Sequence, residues 1–484
     1  MDEIEKGNSG SKIKRAEGVT PTERYLQRLC QRSFLSLWSY CGLYKNQGRN
    51  GKGDGKELCD LLVVFGNDVL VFSDKDCAFK DTGNIGVDWC RWFRKSIADS
   101  ARQAWRVEPF IKHYADRIYL DRACKEPFPL TLPLPEHMRM HYIVVTHKIA
   151  PCVTEYFNGG SGSLVFNSDL TAPSQYENPA QCRPFEVGWL DEKKPFVHVL
   201  HDLSLEAVLK TLDTITDFVE YLRAKEALLE DFKRTGRSLF YCGEEDLLAH
   251  YIRTMRGDRH GFDFPPEVQR LALEEGAWLN LVDKPKFLAR EQANKVSYYW
   301  DAIIEKFTRV VLNDYQKGET FTVQERALRF LAREGRVRRR MLAEEMLKMV
   351  ASTPYGYDRR RVAIPERPGE PYYVFLLAGR RPDVAEQEYP RFRQNMLSAL
   401  CNITKLRFPA AEDIVGIATE TGTDTRKFSY DLTLVDARNW TQDDQAHWSD
   451  MQKSFGFLND ATTGQMSTVE FPEPEPQAPE EDTS

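Results

Sequence analysis

Hydrophobic residues recur at helical spacing near the beginning of the chain. Residues 20–23 read TPTE, in which Thr20 can cap a helix, the proline suits the first turn and Glu23 completes a capping box. Apolar side chains then follow at steps of three and four residues. The pattern predicts an amphipathic helix from residue 20 to about Tyr40.

Two almost wholly apolar runs come next, after a glycine-rich segment at residues 45–56 that is predicted to be a loop. Residues 58–65 are apolar except for Asp60, and residues 69–72 are apolar throughout. The three residues between the runs, Gly-Asn-Asp, favour a turn. The pattern therefore predicts a β-hairpin whose strands are buried on both faces.

The remaining periodicity predicts an α/β protein of several parts. Helical spacing over 89–112 and strand-like segments at 117–121 and 142–146 complete an α/β sandwich in the order helix, hairpin, helix, strand, strand. Further along we predict a loop at 158–183, a strand at 195–200, helices at 204–222, 244–256, 265–275, 296–312, 321–351 and 388–404, and strands at 372–378, 414–420 and 431–437. The predicted parts are a disordered lead (1–19), the sandwich (20–155), a mostly helical middle domain (156–315), a smaller C-terminal α/β domain (316–462) and an acidic disordered tail (463–484).

Composition narrows the class of protein. The length of 484 residues exceeds what one hydrophobic core normally supports, so more than one domain is expected. The net charge of −7 excludes a uniformly basic surface, so a nucleic-acid site must be a local basic patch. The 10 cysteines include no Cys-x-x-Cys pair, which argues against a zinc ribbon. Without a signal peptide or a long apolar run in the sequence, we expect a cytoplasmic protein with no membrane partner.

The residues that indicate chemistry lie in and around the predicted hairpin. Asp60 lies inside an apolar strand, where an unpaired carboxylate is costly. A divalent cation or a lysine can compensate it, and Lys75 ends the neighbouring strand. Phosphodiester hydrolysis uses both parts, because carboxylates hold Mg²⁺ or Mn²⁺ against the scissile phosphate and a lysine orients water or stabilises developing charge.

This order and spacing resemble the PD-(D/E)XK superfamily of restriction-endonuclease-like nucleases, which includes Mrr-type and NERD-type enzymes. The resemblance covers about residues 20–150 and implies a restriction-endonuclease-like α/β sandwich. In it, Glu23 matches the acid of the opening helix, which implies a further metal ligand, and Asp60 matches the strand acid, the main metal ligand. Lys75 matches the catalytic lysine, and Gln103 is a candidate for the glutamine of a later helix. The resemblance also implies Mg²⁺ or Mn²⁺ as cofactor and a role in bacterial restriction or phage defence.

One position departs from this pattern. Ser73 lies two residues before Lys75, where an acid would share the lysine's face of the strand. The adjacent Asp74 would point to the other face of a regular strand, although it could reach a metal at the strand end. Alternatively, Glu57 could take the place of the missing acid, or metal binding could be weak. A fourth interpretation is an inactive descendant that binds nucleic acid without cutting it.

A run of arginines marks the predicted helix at 321–351. On one continuous helix they would share one face, because they recur at steps of three and four residues: Arg326, Arg329, Arg333, Arg336 and Arg340. In an acidic protein such a stripe is a candidate track for nucleic-acid phosphates. The alternative is a solvated face paired with neighbouring glutamates.

The sequence thus predicts a metal-dependent endonuclease that hydrolyses phosphodiester bonds, with DNA as the expected substrate and RNA as the alternative. A partner protein of a defence system is also expected. The alternative function is a catalytically inactive nuclease fold that acts as a nucleic-acid-binding or scaffold subunit of a defence or repair complex.

Overall fold

The computed structural model describes residue 13 and residues 15–46, 55–256, 259–313, 319–422, 429–459, 462 and 464–474. They form two compact units, Ile13–Ala289 (the N-terminal unit) and Arg290–Pro472 (the C-terminal unit). Residues 1–12 of the predicted lead and 475–484 of the predicted tail lie outside the described residues. None of the described helices combines the length and the apolar character needed to cross a lipid bilayer.

The N-terminal unit contains twelve described strands. They are β1 (Ser39–Lys45), β2 (Lys56–Phe65), β3 (Asp68–Lys75), β4 (Ile118–Tyr119), β5 (Arg139–Thr146), β6 (Val165–Thr171), β7 (Glu186–Trp189), β8 (Val197–His201), β9 (Ser238–Tyr241), β10 (Met255–Arg256), β11 (Arg259–His260) and β12 (Arg270–Leu273). The helices are α1 (Pro21–Phe34), α2 (Ile85–Phe93), α3 (Asp99–Trp105), α4 (Val107–His113), α5 (Ala150–Tyr156), α6 (Ala172–Tyr176), α7 (Asp202–Thr211), α8 (Ile215–Thr235), α9 (Glu244–Arg253) and α10 (Leu279–Val282), and α11 (Pro285–Asn294) crosses the division between the units.

Six strands form the main sheet of the N-terminal unit, in the order β4-β1-β2-β3-β5-β8. The strands β1, β2 and β3 form an antiparallel meander. β5 pairs parallel to β3, and the connection between them contains α2, α3 and α4. β8 then pairs parallel to β5. The nearly continuous apolar sequence of β2, β3 and β5 suits strands that are covered on both faces.

Helices cover the two faces of this sheet. Glu23 and Thr20 form the predicted capping box at the start of α1, with the Thr20 Oγ1 accepting the Glu23 N–H at 3.1 Å. The ring of Phe34 at the end of α1 lies 6.3 Å from that of Phe72 in β3. Since successive side chains of a strand alternate, Ser73 points away from α1, toward the face where α3 packs on β3 and β5.

A second sheet of the N-terminal unit shows that the predicted boundary near residue 155 is wrong. This sheet has the order β12-β9-β6-β7 and belongs to the same compact unit as the main sheet. The predicted middle domain at 156–315 is therefore not separate. The physical reason is β8, which lies beyond that boundary in the chain and yet completes the sheet that β1 to β3 begin.

The C-terminal unit is the small α/β arrangement that the sequence predicts. It contains α12 (Tyr298–Asn313), α13 (Glu319–Ala332), α14 (Arg336–Ser352), β13 (Arg359–Ala363), β14 (Tyr372–Ala378), α15 (Tyr389–Arg407), β15 (Asp413–Glu420), β16 (Tyr430–Asp436) and α16 (Gln442–Phe455). Its sheet has the order β13-β14-β15-β16, with a parallel central pair and antiparallel edge strands. The apolar face of α15 packs on β15 and β16 to form the core.

Two predicted helices are shorter than the periodicity indicates. The first ends at Phe34, because Leu35 adopts a left-handed backbone with φ 63°, and the residues predicted to continue it begin β1. The long helix predicted after Ser204 is divided into α7 and α8, with Thr214 as the N-cap of α8.

Three other predicted elements were also wrong. The segment predicted as a loop at 158–183 contains β6 and α6. The segment predicted as a helix at 265–275 contains β12, which pairs parallel to β9. The basic helix predicted at 321–351 is two helices, α13 and α14, because Gly335 is an extended N-cap between them.

The buried meander gives a test of the sheet. Leu70 in β3 is fully buried, whereas Leu203 in α7 is 53% exposed. We expect Leu70→Ala to lower the free energy of unfolding of the N-terminal unit by about 2–5 kcal/mol, since it removes transfer energy and leaves a cavity. Leu203→Ala should change it by less than about 0.5 kcal/mol. Chemical denaturation of both variants measures this, and equal losses would contradict the burial of β3.

Candidate active site

A cavity of ≈ 250 Å³ lies where α3 packs beside the ends of β1, β2 and β3. Its apolar wall comes from β2 and β3, whose side chains also belong to the core. Its polar and charged lining is Lys45, Lys56, Glu57, Asp60, Ser73, Gln103 and Arg106. Three basic side chains, two carboxylates, an amide and a hydroxyl therefore share one small space.

Asp60 is the most perturbed acid of this cavity. Burial raises its pKa to about 7, and the nearby carboxylates of Glu57, Asp74 and Glu23 add to the shift. Its Oδ2 accepts the backbone N–H of Asp74 at 2.6 Å, which opposes the shift. Asp60 forms no ion pair with any residue that the structure describes. Among the described residues, its negative charge is thus stabilised by one hydrogen bond and by no ion pair.

The basic side chains of the cavity come from the ends of β1 and β2 and from the residue after α3. Lys45 and Lys56 are cross-strand partners in the β1–β2 ladder. Burial and the charge of Lys56 lower the pKa of Lys45, because both disfavour its protonated form. Glu57 is affected in the opposite sense, since burial and the charge of Glu23 raise its pKa. Arg106 completes the basic lining.

Ser73 and Asp74 point in different directions, as the alternation of β3 predicts. Ser73 is buried and lines the cavity. The Asp74 carboxylate is 1% exposed and accepts a hydrogen bond from Nε2 of His147 at 2.6 Å, so it is paired outside the cavity. Of the alternatives for the missing acid, Glu57 is therefore the one that shares the cavity with Asp60.

The other predicted residues divide into one that lines the cavity and two that do not. Gln103 lines it from α3. Lys75 ends β3 beside Thr146 of β5, and it is not part of the lining. The Glu23 carboxylate accepts the N–H groups of Val19 and Thr20 in the capping box, so it acts on Glu57 and Asp60 through its charge.

The carboxylates of the cavity fit a divalent cation that has few protein ligands. Among the described residues, no group of three or more His, Cys, Asp or Glu side chains is arranged to hold a metal ion. Mg²⁺ in phosphoryl-transfer sites commonly takes one or two carboxylates and completes its shell with water and substrate phosphate. Asp60 and Glu57 can supply those ligands, and the half-buried Asp60 carboxylate forms no ion pair with a described residue. The donor set thus suits a cation that binds together with a phosphate.

An aromatic surface begins at the cavity. The Lys45 Nζ lies 5.3 Å from the centre of the Phe110 ring, and the Phe110 and Tyr114 ring centres are 5.6 Å apart. Tyr114 is 44% exposed, and the Arg117 guanidinium lies 4.8 Å from its ring centre. Exposed rings flanked by cations are the elements with which proteins bind unpaired nucleobases.

The predicted arginine stripe does not exist as one exposed face. Arg336 is 2% exposed and Arg340 is 1% exposed, so the prediction that they contact nucleic acid was wrong. Arg336 donates to Asp301 at 2.8 Å, and Arg340 donates to backbone and amide oxygens of its own unit. Two half-buried members of the stripe, Arg329 and Arg333, remain predicted contacts.

Several site residues were missed by the sequence analysis. Lys45 and Lys56 stand at the two ends of the predicted glycine-rich loop, where they were treated as part of that loop. The sequence SYCGLY before Lys45 alternates enough to indicate a strand, and a strand would have placed both lysines beside Asp60. His147 directly follows a predicted strand, and no local signal links it to Asp74.

Comparisons of the chain with protein-family models, with curated proteins and with solved structures found no match. Function must therefore be inferred from the geometry and charge of the cavity.

The raised pKa of Asp60 gives a test of its environment. The folded state holds this proton more tightly than the unfolded chain does, so stability falls as the pH rises from about 4 to about 7. Asp60→Asn cannot ionise. We expect it to raise the free energy of unfolding by about 1–3 kcal/mol at pH 8 and to have a much smaller effect at pH 4.

Urea unfolding at the two pH values measures this difference. Asp116→Asn is the matched control, because Asp116 is an exposed aspartate of the same unit outside the cavity. The control should show the same small change at both pH values. An effect of Asp60→Asn that did not depend on pH would contradict a raised pKa.

Proposed function

We propose that this protein is a metal-dependent nuclease of the restriction-endonuclease-like type, which hydrolyses phosphodiester bonds in DNA. The observation that carries the proposal is the cavity in which Asp60 and Glu57 face Lys45, Lys56 and Arg106. Carboxylates there suit a divalent cation, and the cations suit the phosphate oxygens that such a metal also binds.

The order of the elements supports the same proposal. The resemblance implies an acid on an opening helix, an acid on a buried strand, a lysine on the next strand and a glutamine on a later helix. Glu23 lies on α1, Asp60 on β2, Lys75 on β3 and Gln103 on α3. The cavity modifies this assignment, since Lys45 and Lys56 line it and Lys75 does not.

Each residue of the cavity has a chemical task in this reaction. Asp60 and Glu57 would hold Mg²⁺ or Mn²⁺, which when bound polarises the phosphate and lowers the pKa of its water. Lys56 and Arg106 bind the non-bridging phosphate oxygens. Lys45, whose pKa is lowered, orients the attacking water and stabilises the developing charge. Gln103 donates hydrogen bonds to the sugar–phosphate backbone.

A second function is favoured by a specific observation at the same place. Ser73 replaces an acid, and Asp74 is paired with His147. A cavity with fewer metal ligands can bind nucleic acid through its basic residues without cutting it. The second candidate is therefore a non-catalytic nucleic-acid-binding or scaffold subunit. In either case a role in restriction, phage defence or repair, together with a partner protein, is part of the proposal.

Cleavage by purified protein tests the first proposal. With Mg²⁺ or Mn²⁺ we expect DNA to be cut and EDTA to abolish the activity. Asp60→Asn and Lys45→Ala should each lower the rate by about 100-fold or more, because they remove a metal ligand and a charge-stabilising group. Lys75→Ala tests the alternative lysine and is expected to have a smaller effect.

The controls show whether a negative result means that the active site lies elsewhere or that the protein is not a nuclease. Asp116→Asn should retain full activity, because Asp116 lies outside the cavity. Cleavage that survived Asp60→Asn would place the active site elsewhere. Binding of DNA without cleavage by the wild-type protein at any metal concentration would favour the scaffold function. Plasmid, linear duplex, single-stranded DNA and RNA should be compared as substrates.

The aromatic surface makes a prediction about the substrate. If unpaired bases stack on Tyr114, Tyr114→Ala should weaken binding of single-stranded DNA about 5- to 100-fold and leave duplex binding nearly unchanged. Tyr156→Ala is the matched control, since Tyr156 is 42% exposed in the same unit. Binding measured by fluorescence anisotropy in Ca²⁺ tests this separately from cleavage, and equal losses for both variants would refute it.

A further inference from the structure

The C-terminal unit contains a second cavity, which has no part in the candidate active site. Its volume is ≈ 730 Å³, within the range of cavities that hold small ligands. Five arginines line it from three elements: Arg338 of α14, Arg359, Arg360 and Arg361 of β13, and Arg407 of α15. We call this space the arginine cavity.

The arginines outnumber the acids of the arginine cavity. The carboxylates in its lining are Glu345 and Glu366, so five positive charges face two negative ones. Glu345 is paired with Arg361, and Glu366 lies 3.2 Å from Arg338. Outside the lining, Asp358 lies 3.6 Å from Arg360, so the two arginines without a carboxylate partner among the described residues are Arg359 and Arg407.

The surplus belongs to identifiable side chains. Arg407 forms no ion pair with any residue that the structure describes. Arg359 donates its hydrogen bonds to the Ser352 hydroxyl at 2.6 Å and carbonyl at 3.3 Å, and not to a carboxylate. Arg360 is ion-paired with Asp358 at 3.6 Å, but its Nε is buried without a hydrogen-bond partner, and its guanidinium lies 4.2 Å from the Phe457 ring centre. Donors are therefore available for a ligand.

The lining also has an apolar part. Phe408, Ile364, Leu458 and Met466 all line the arginine cavity. Phe408 is half-buried, and its ring contacts Tyr372 at 5.3 Å between centres, which fixes its orientation. The lining therefore suits a ligand that combines negative charge with an apolar, ring-shaped group.

We propose that the arginine cavity binds a free nucleotide carrying two or three phosphate groups. The guanidinium groups bind the phosphate oxygens, for which their planar donor pairs are suited, and the base packs against Phe408. The phosphate groups supply the negative charge that Arg359 and Arg407 do not receive from a described carboxylate. This proposal is independent of nuclease activity, because every residue that it uses lies outside the Asp60 cavity.

A protective role for the arginines explains the structure less well. β13 is an edge strand of its sheet, and edge strands often carry charges that prevent pairing with other chains. That role requires charges on β13 alone. It does not account for Arg338 and Arg407, which reach the same cavity from two helices, or for the aromatic ring beside them.

The end of a nucleic-acid strand also presents phosphate groups next to a base. The experiment therefore separates binding of a free nucleotide from binding of a nucleic-acid end. The full chain is titrated calorimetrically in EDTA with ADP, ATP and AMP. It is also titrated with a short single-stranded oligonucleotide, once with a terminal phosphate and once without. We expect saturable binding of ADP and ATP, with AMP at least tenfold weaker. Binding of an oligonucleotide without binding of ADP or ATP would overturn the proposal.

Two variants and two controls complete the test. Arg407→Glu and Arg359→Ala should each weaken ADP binding at least tenfold, and both are exposed, so the fold should persist. Arg391→Glu is the matched control, because Arg391 is exposed on the same helix, α15, outside the cavity. Asp60→Asn should bind ADP like the wild type. Absence of saturable ADP and ATP binding, or equal losses for Arg391→Glu and Arg407→Glu, would overturn the proposal.

Discussion

The carboxylate of Asp60 lies where the ladder between β2 and β3 ends, and the candidate active site is built around it. Its Oδ2 takes the place of a strand carbonyl by accepting the Asp74 N–H. Burial at this point makes the charge expensive, and three nearby acids increase the cost. Such a group persists when its use in binding outweighs its effect on stability. The basic ends of β1 and β2 beside it are consistent with that use.

Much of the fold around Asp60 could be predicted because its signals are local. The capping box of α1 and the β2–β3 hairpin are encoded by consecutive residues. The helical crossover to β5 follows from its periodicity. An acid within an apolar strand indicated Asp60 without any knowledge of its neighbours. Gln103 came from the family resemblance, and Glu57 was one of several alternatives for the acid that Ser73 replaces. Both line the cavity with Asp60.

The remaining site residues depend on contacts that spacing does not encode. Lys45 could not be placed beside Asp60 while its strand was taken as helix and loop. Asp74 is paired with His147, which is 73 residues away in the sequence. His147 directly follows β5, and β5 lies beside β3 as its parallel neighbour. The arginine stripe failed for a similar reason, since Asp301 on another helix binds Arg336 and Arg339 inside the C-terminal unit. Helical periodicity alone does not distinguish a buried guanidinium from a solvated one.

The parallel pairing of β8 with β5 has a consequence for how the chain reaches its fold. β5 is apolar and lies next to the edge strand of the sheet, and its outer edge is covered by residues 197–201. During synthesis this edge stays open until about fifty more residues have left the ribosome. An open apolar edge pairs readily with other chains. A fragment that stops near residue 155 therefore leaves the outer edge of β5 unpaired, and pairing with other chains at that edge competes with correct folding.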